Sequence, residues 1–319
     1  MRNNTLLIQE RIMALIEHPR SPIAGKLEGV HLFHYDGAPC AQRVRFALHE
    51  KGLSRGREVK FDAGDPVSCA GQQGAWVSRQ VSLVKKDHLT EAYALIQPNL
   101  VVPALVHDGR LHIESMDIVE YLDEAFGGAP LVPKNDTAVM EDATGLTRLG
   151  KELHRSIRFV TFRWGLRGLA RLSKEDEEQL RDLLKNGNDT EQLVNFYEGY
   201  DRQSIPETIY EEHLEKLNAA FRDHEHRLSD GRDFLTGSDL TMADVIWAMK
   251  TLRLIECGYP FEQCFPLYFA WFQRISQRPS FREGVMGKHR LMSSAFKFKA
   301  RLENLLGIGL KREVLMRVT

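Results

Sequence analysis

Cysteine is scarce in this chain. Four residues in 319, Cys40, Cys69, Cys257 and Cys264, show no C-x-x-C spacing. That argues against a disulfide framework and a cysteine-rich zinc site, and leaves a reducing cytoplasm as the expected compartment. Long apolar runs are missing as well: no stretch of eighteen apolar residues marks a membrane span, and no signal-peptide core is present. Charge of one sign is not in excess. The formal net charge is −1, so no global field favours nucleic acid. No internal repeat or low-complexity tract is visible. What remains, 43% hydrophobic residues in a chain of this length, is enough for a sizeable core and suggests two domains.

The segment His31 to Leu53, HLFHYDGAPCAQRVRFALHEKGL, reads as strand, turn and helix. Leu32, Phe33 and Tyr35 suit a strand, and Gly37 and Pro39 punctuate a turn. Val44, Ala47 and Leu48 then recur at helical spacing, with Gly52 placed as a C-cap. Cys40 falls at the helix N-terminus, where unpaired N–H groups and the macrodipole favour an anion, and Arg43 and Arg45 add positive charge. Such a place stabilises a thiolate, either that of Cys40 or one brought by a ligand. A cysteine there also packs well as a small buried residue. The segment by itself leaves both readings open.

Asn99 to Gly127 reads NLVVPALVHDGRLHIESMDIVEYLDEAFG. Pro103 to His107 and Arg110 to Ile113 read as two short strands, joined through Asp108-Gly109, a type I′ hairpin signal. Pro103, opening a strand after an apolar run, reads as a cis-proline. Glu114 and Ser115 open a helix with Ile118, Tyr121, Leu122 and Ala125 on one stripe. A strand and helix followed by a hairpin and helix fit a thioredoxin-like domain.

The expected organisation is an N-terminal arm over 1–28, a thioredoxin-like domain over 29–128, a linker to Asp136, and an all-helical domain with a C-terminal tail over 137–319. The arm carries the amphipathic stretch LLIQERIMALIEH, whose Glu10 and Glu17 argue against a targeting peptide. Residues 62–97 read as a long insertion, either an enlarged helix or a lid. Glu175 to Glu178 read as a solvated helix start after Ser173. The basic, apolar tail reads as an exposed C-terminal helix, a membrane-surface helix being the less favoured alternative.

These motifs resemble the cytosolic glutathione transferase family. The resemblance is carried by APCAQRVRFAL, the VVPAL strand, the HDG hairpin, ESMDIVEYLDE and, further on, DFLTGSDLTMADVIWA (Asp233 to Ala248). The last matches the family's buried capping box, with Thr241 as N-cap and Asp244 as its acid. The resemblance runs from about His31 to Phe281 and comes nearest to the bacterial zeta-like reductive dehalogenases and lignin β-etherases. It implies a thioredoxin-like α/β domain followed by an all-α domain, a homodimer, and glutathione as cosubstrate without a metal. It also implies a small hydrophobic electrophile as partner, in detoxification or aromatic-compound degradation, with neither nucleic acid nor membrane involved.

The same resemblance assigns the site. Glu114 and Ser115 would hold the γ-glutamyl end of glutathione, Ser115 and its N–H facing the carboxylate and Glu114 the ammonium group. The backbone of Val102, before Pro103, would pair with the cysteinyl residue as an added strand does. The thiol would point at Ala38, Pro39 and Cys40. Here the chain departs from the zeta pattern, whose two turn serines are replaced by Ala38 and Pro39. Phe159, Phe162 and Trp164 are candidates for a substrate wall, with Trp247 assigned to the core. Arg158, Arg163 and Arg167 either steer substrate or face solvent.

Three activities are compatible with these residues. In the first, glutathione thiolate displaces halide or aryloxide, with Cys40 only holding it. In the second, Cys40 attacks a glutathionyl conjugate, as in a reductive dehalogenase or thiol transferase. The third is a non-catalytic binding or scaffold role, favoured by loss of the turn serines.

Overall fold

The computed structural model describes residues 15–16, 19–167, 171–185 and 192–318. Most of the amphipathic stretch in the expected N-terminal arm lies outside them, as does part of the segment after Trp164. The chain divides into two compact units, Met1–Ala129 with Leu172–Phe196, and Pro130–Arg171 with Tyr197–Thr319.

The first unit is built on a six-stranded mixed sheet. Its strands are β1 (Leu15–Ile16), β2 (Val30–His34), β3 (Ser54–Lys60), β4 (Ala75–Gln80), β5 (Ala104–His107) and β6 (Arg110–His112), in the order β1-β6-β5-β2-β4-β3. β2 and β3 both run parallel to β4, and β5 is antiparallel to β2 and β6. Helix α1 (Pro39–Glu50) follows β2, the short α2 (Pro66–Cys69) and α3 (Glu91–Ala94) flank β4, and α4 (Ser115–Ala125) follows the hairpin. α1 and α4 pack against each other. Asp108 and Gly109 both have positive φ, 48° and 79°, as the hairpin turn requires.

Two readings of the sequence are corrected here. Part of the stretch taken for an enlarged helix or lid, Ala75 to Gln80, is β4, an interior strand of the sheet. Its polar residues mislead the pattern because they are buried. Arg79 donates to the carbonyls of Phe61, Ala63 and Ser68 (3.1, 2.8 and 2.6 Å) and to His31 Nδ1 (3.0 Å). Arg79 therefore ties down the loop before α2 instead of facing water. Ser78 is buried in the same strand and receives a hydrogen bond from Arg55 (3.1 Å). Secondly, Leu172–Phe196, read from sequence as part of the helical domain, groups with the first unit. Its helix α7 (Lys174–Leu184), opened by a Ser173–Asp176 capping box as the charge run suggested, packs on the turn Asp87–Leu89.

The second unit is helical. It contains α5 (Thr137–Glu152), α6 (His154–Val160), most of α8 (Leu193–Asp201), α9 (Glu207–Arg227), α10 (Met242–Glu256), α11 (Phe261–Cys264), α12 (Pro266–Ser276), α13 (Arg290–Leu305) and α14 (Leu310–Val318). α10 is its axis, buried on nearly every face. Trp247 lies fully inside and donates to the Leu146 carbonyl (3.0 Å), as its assignment to the core requires. A π-helical turn, Thr161–Leu166, passes so close to α10 that a Cβ on Gly165 would sit 2.6 Å from Cys257 Sγ. Any larger residue there would force the Cys257 side chain to shift.

Candidate active site

The turn between β2 and α1 is held from beneath by a buried arginine. Arg45 donates to the carbonyls of Asp36 (2.8 Å) and Tyr35 (3.3 Å) and to His34 Nδ1 (3.2 Å). The Asp36 carboxylate accepts from Arg55 (2.7 Å) and Gln80 (2.7 Å). Burial alone would raise this carboxyl. The Arg55 hydrogen bond and the charges of Arg45, His34 and Arg55 outweigh it and hold the group down at about 2. The turn is thus fixed as Ala38 caps α1 and Pro39 takes the first helical position. Cys40 follows, half-buried, in the first turn of the helix.

Arg43 lies two residues before Arg45 and so on a different face of α1. Its side chain runs to the N-terminus of α4, where Nη1 donates to Ser115 Oγ at 3.1 Å. Arg43 is 3% exposed, and its Nε and Nη2 are buried with no hydrogen-bond partner. No carboxylate forms an ion pair with Arg43 among the described residues. A buried guanidinium with neither counterion nor full hydrogen bonding is costly, and an anion nearby lowers that cost.

α4 supplies the setting for an anion. Its N-cap, Glu114, has φ 63° and ψ 110°, left-handed backbone that a side-chain-bearing residue adopts only under constraint. Asn99 Nδ2 donates to Glu114 Oε1 at 3.3 Å. Ser115 and Met116 open the helix, whose first N–H groups have no intrahelical acceptor. Ser115 is buried, and Glu114 is exposed.

The strand before the hairpin completes the first-unit site. The Val102–Pro103 peptide bond is cis, as the sequence suggested. The loop before it is held from behind: Tyr93 donates from its hydroxyl to the Val101 carbonyl (2.7 Å), and Gln97 Nε2 to the Pro103 carbonyl (3.4 Å). Phe33 pairs with Ala104, so Val102 lies alongside the turn that leads to Ala38. Ala38 and Val102 belong to one core cluster, with Tyr35 packed against it.

The first unit therefore holds Ala38, Pro39, Cys40, Val102, Pro103, Glu114 and Ser115, and Arg43 links α1 to Ser115. Sequence reading credited Arg43 only with nearby charge and passed over Asn99. The signal for Arg43 was its place one turn after Cys40.

The aromatic candidates belong to the second unit. Phe159 and Trp164 are buried, Phe159 against Tyr210 and His213 and Trp164 against Tyr210. Phe162 is half-buried and meets Tyr197 and Tyr200 edge-on. Arg163 pairs with Glu207 (3.0 Å) and Arg167 with Glu303 (3.2 Å). A shallow concavity of about 370 Å³ in this unit, lined among others by Arg222, His226, Cys264 and Leu267, includes none of the expected site residues. No cluster of metal-ligating side chains occurs among the described residues.

The glutathione S-transferase N-terminal domain model matches residues 32–130 and the glutathione S-transferase C-terminal domain model matches 191–279. The chain belongs to the glutathione S-transferase family, with a thioredoxin-like domain joined to a helical one.

Within that family it is similar to the protein LigF of Sphingobium sp. strain SYK-6, 25% identical over 206 residues, 62% of this chain and 79% of that protein. Glutathione S-transferase 1 of Dianthus caryophyllus is 30% identical over 112 residues, 35% of this chain and only 41% of that protein. Among solved structures, the beta-etherase LigF from the same Sphingobium strain superposes with a TM-score of 0.65 at 23% identity, covering 80% of this chain and 98% of that one. Glutathione transferase F7 from Populus trichocarpa gives 0.56 at 21% identity, covering 81% and 98%. The structural likenesses establish the fold.

Proposed function

We propose that this protein is a glutathione transferase in which the thiolate of glutathione attacks a hydrophobic, aromatic electrophile and displaces halide or aryloxide, as a β-etherase does. The observation that carries the reading is the N-terminus of α4. There the first N–H groups of the helix, the Ser115 hydroxyl and the buried Arg43 guanidinium together suit the γ-glutamyl carboxylate. Exposed Glu114 suits the ammonium group. Val102 offers a backbone N–H and carbonyl for the cysteinyl residue, as an edge strand receives an added one. The glutathione sulfur then falls to Ala38, Pro39 and Cys40. The start of α1 favours the thiolate form there, its proton passing to solvent. A carbon–sulfur bond forms as the carbon–halogen or carbon–oxygen bond breaks, and the leaving group departs with the electron pair.

The half-buried Cys40 at that helix start supports a second reading. Its thiolate attacks the sulfur of a glutathionyl conjugate, the sulfur–carbon bond breaks, and the carbon takes the electron pair and a proton from water. A further glutathione releases the mixed disulfide as oxidised glutathione. A scaffold role without chemistry has less support, because it leaves the buried charge of Arg43 unexplained. The chain is proposed to act as a homodimer, and Phe162, half-buried where Phe159 and Trp164 are buried, is the aromatic candidate proposed to meet substrate.

The deciding experiment incubates the protein with reduced glutathione and either a generic aryl halide or a β-aryl ether, and follows thioether and oxidised glutathione separately. Thioether alone supports the first reading. Oxidised glutathione with reduced product supports the second. Neither product, with glutathione still bound, supports the scaffold.

A further inference from the structure

α13 presents a second apolar face to solvent. Leu291, Ala295, Phe298, Leu302 and Leu305 follow one another at steps of four and three, a single stripe along a helix about 24 Å long. They are exposed, Leu291 by 84%, Phe298 by 63% and Leu305 by 83%. The helix is held to its unit by the opposite side, where Ser293 and Ala300 are buried. Beyond the helix end the exposed apolar surface continues over Leu306 and Ile308. Single exposed leucines need no explanation, but a continuous row of this length does.

The charge around the row is mainly positive. By helical period Arg290, Lys297 and Arg301 flank one side of the stripe and Lys299 the other, where it pairs with Glu303 (2.7 Å). From Lys288 to Val318 the chain carries eight lysines and arginines against two glutamates, although its overall net charge is −1. We propose that this face is the site at which the protein lies on an anionic lipid surface. The apolar row enters the headgroup boundary, and the flanking cations meet the acidic headgroups. A second copy of the chain is a poor occupant, because pairing the stripe with itself brings cationic flanks together. The stripe also lacks the polar residue that commonly fixes register with a partner helix, and its continuation over Leu306 and Ile308 suits a surface more than a groove. Among the described residues no helix is long and apolar enough to cross a membrane, so the proposed contact is peripheral.

Flotation with phosphatidylcholine vesicles, with and without phosphatidylglycerol, tests the proposal. The protein should float with the anionic vesicles only, and high salt should release it. A Phe298→Ser, Leu305→Ser double variant, and separately Arg290→Gln, Lys297→Gln, Arg301→Gln, should each lower binding about tenfold or more. Both should keep the circular dichroism and glutathione affinity of the parent, which separates this surface from the first-unit site. A parent protein that stays in solution with anionic vesicles overturns the proposal, as does undiminished flotation of the serine variant. So does a serine variant whose only change is a smaller hydrodynamic mass, which would assign the face to a second copy. Binding to an acidic amphipathic peptide in place of vesicles would likewise overturn it, in favour of a protein partner.

Discussion

Arg43 reaches across 72 positions of sequence to donate from Nη1 to Ser115 Oγ at 3.1 Å, joining the second turn of α1 to the first turn of α4. The bond fixes the serine hydroxyl and sets an uncompensated cation behind the helix start. If that cation serves a bound carboxylate, Arg43→Met should raise the KM for glutathione about tenfold to a hundredfold, the range for losing a charge-assisted interaction. kcat at saturating glutathione should change much less. Arg43→Lys should recover part of the loss. A merely structural Arg43 would lower the melting temperature in both variants and leave KM where it was.

Cys40 should be the first cysteine alkylated by iodoacetamide near neutral pH. Burial pushes the Cys257 thiol up to about 12 and raises that of Cys264, and Cys69 is buried at the end of α2. Peptide mass spectrometry over a time course gives the order. Cys40→Ser then separates the two chemistries: displacement of aryloxide should persist, whereas a disulfide-releasing cycle should stop at the glutathionyl conjugate.

Asp244 is a structural acid. Its carboxylate accepts from the backbone N–H of Leu235 (3.0 Å) and Thr241 (2.8 Å), from the Thr241 hydroxyl (3.1 Å) and from Trp271 Nε1 (2.9 Å), all out of contact with water. Asp244→Ala leaves these donors buried and unpaired, so unfolding free energy should fall by about 3 kcal/mol or more. Urea titration measures it. Unchanged stability with lost turnover would reassign the residue to the chemistry.

Stability should fall on mild acidification. Burial lowers His31, His112 and His213 to about 4 and His224 to about 3, with Arg79 adding to the effect at His31. All four stay neutral in the folded chain while the unfolded chain takes up protons below about 6.5. The stabilisation is therefore intact above pH 6.5 and is lost as pH falls towards 4, and towards 3 for His224. Urea midpoints measured from pH 7.5 down to 4.5 should decline steadily. His224→Phe, substituted between Trp247 and Tyr268, should reduce the slope.

Much of the first unit, and one cap of the second, could be read from local chemistry. The cis peptide before Pro103, the Asp108-Gly109 turn, Pro39 opening α1 and the Thr241–Asp244 box are each written within a few residues. β4 was not, because Ser78 and Arg79 look like a solvated face until their distant partners are known. The Arg43–Ser115 bond spans both halves of the thioredoxin-like domain and leaves no periodic trace. The outward row on α13 has the same spacing as a core-facing stripe, so only the folded structure shows which way it faces.

The central claim is that reduced glutathione binds at the start of α4. Calorimetric titration into the parent protein and Ser115→Ala tests it most directly. The account predicts a single site per chain in the parent and a loss of about 1–3 kcal/mol of binding free energy in the variant, with folding unchanged. Equal affinities in the two proteins would contradict it.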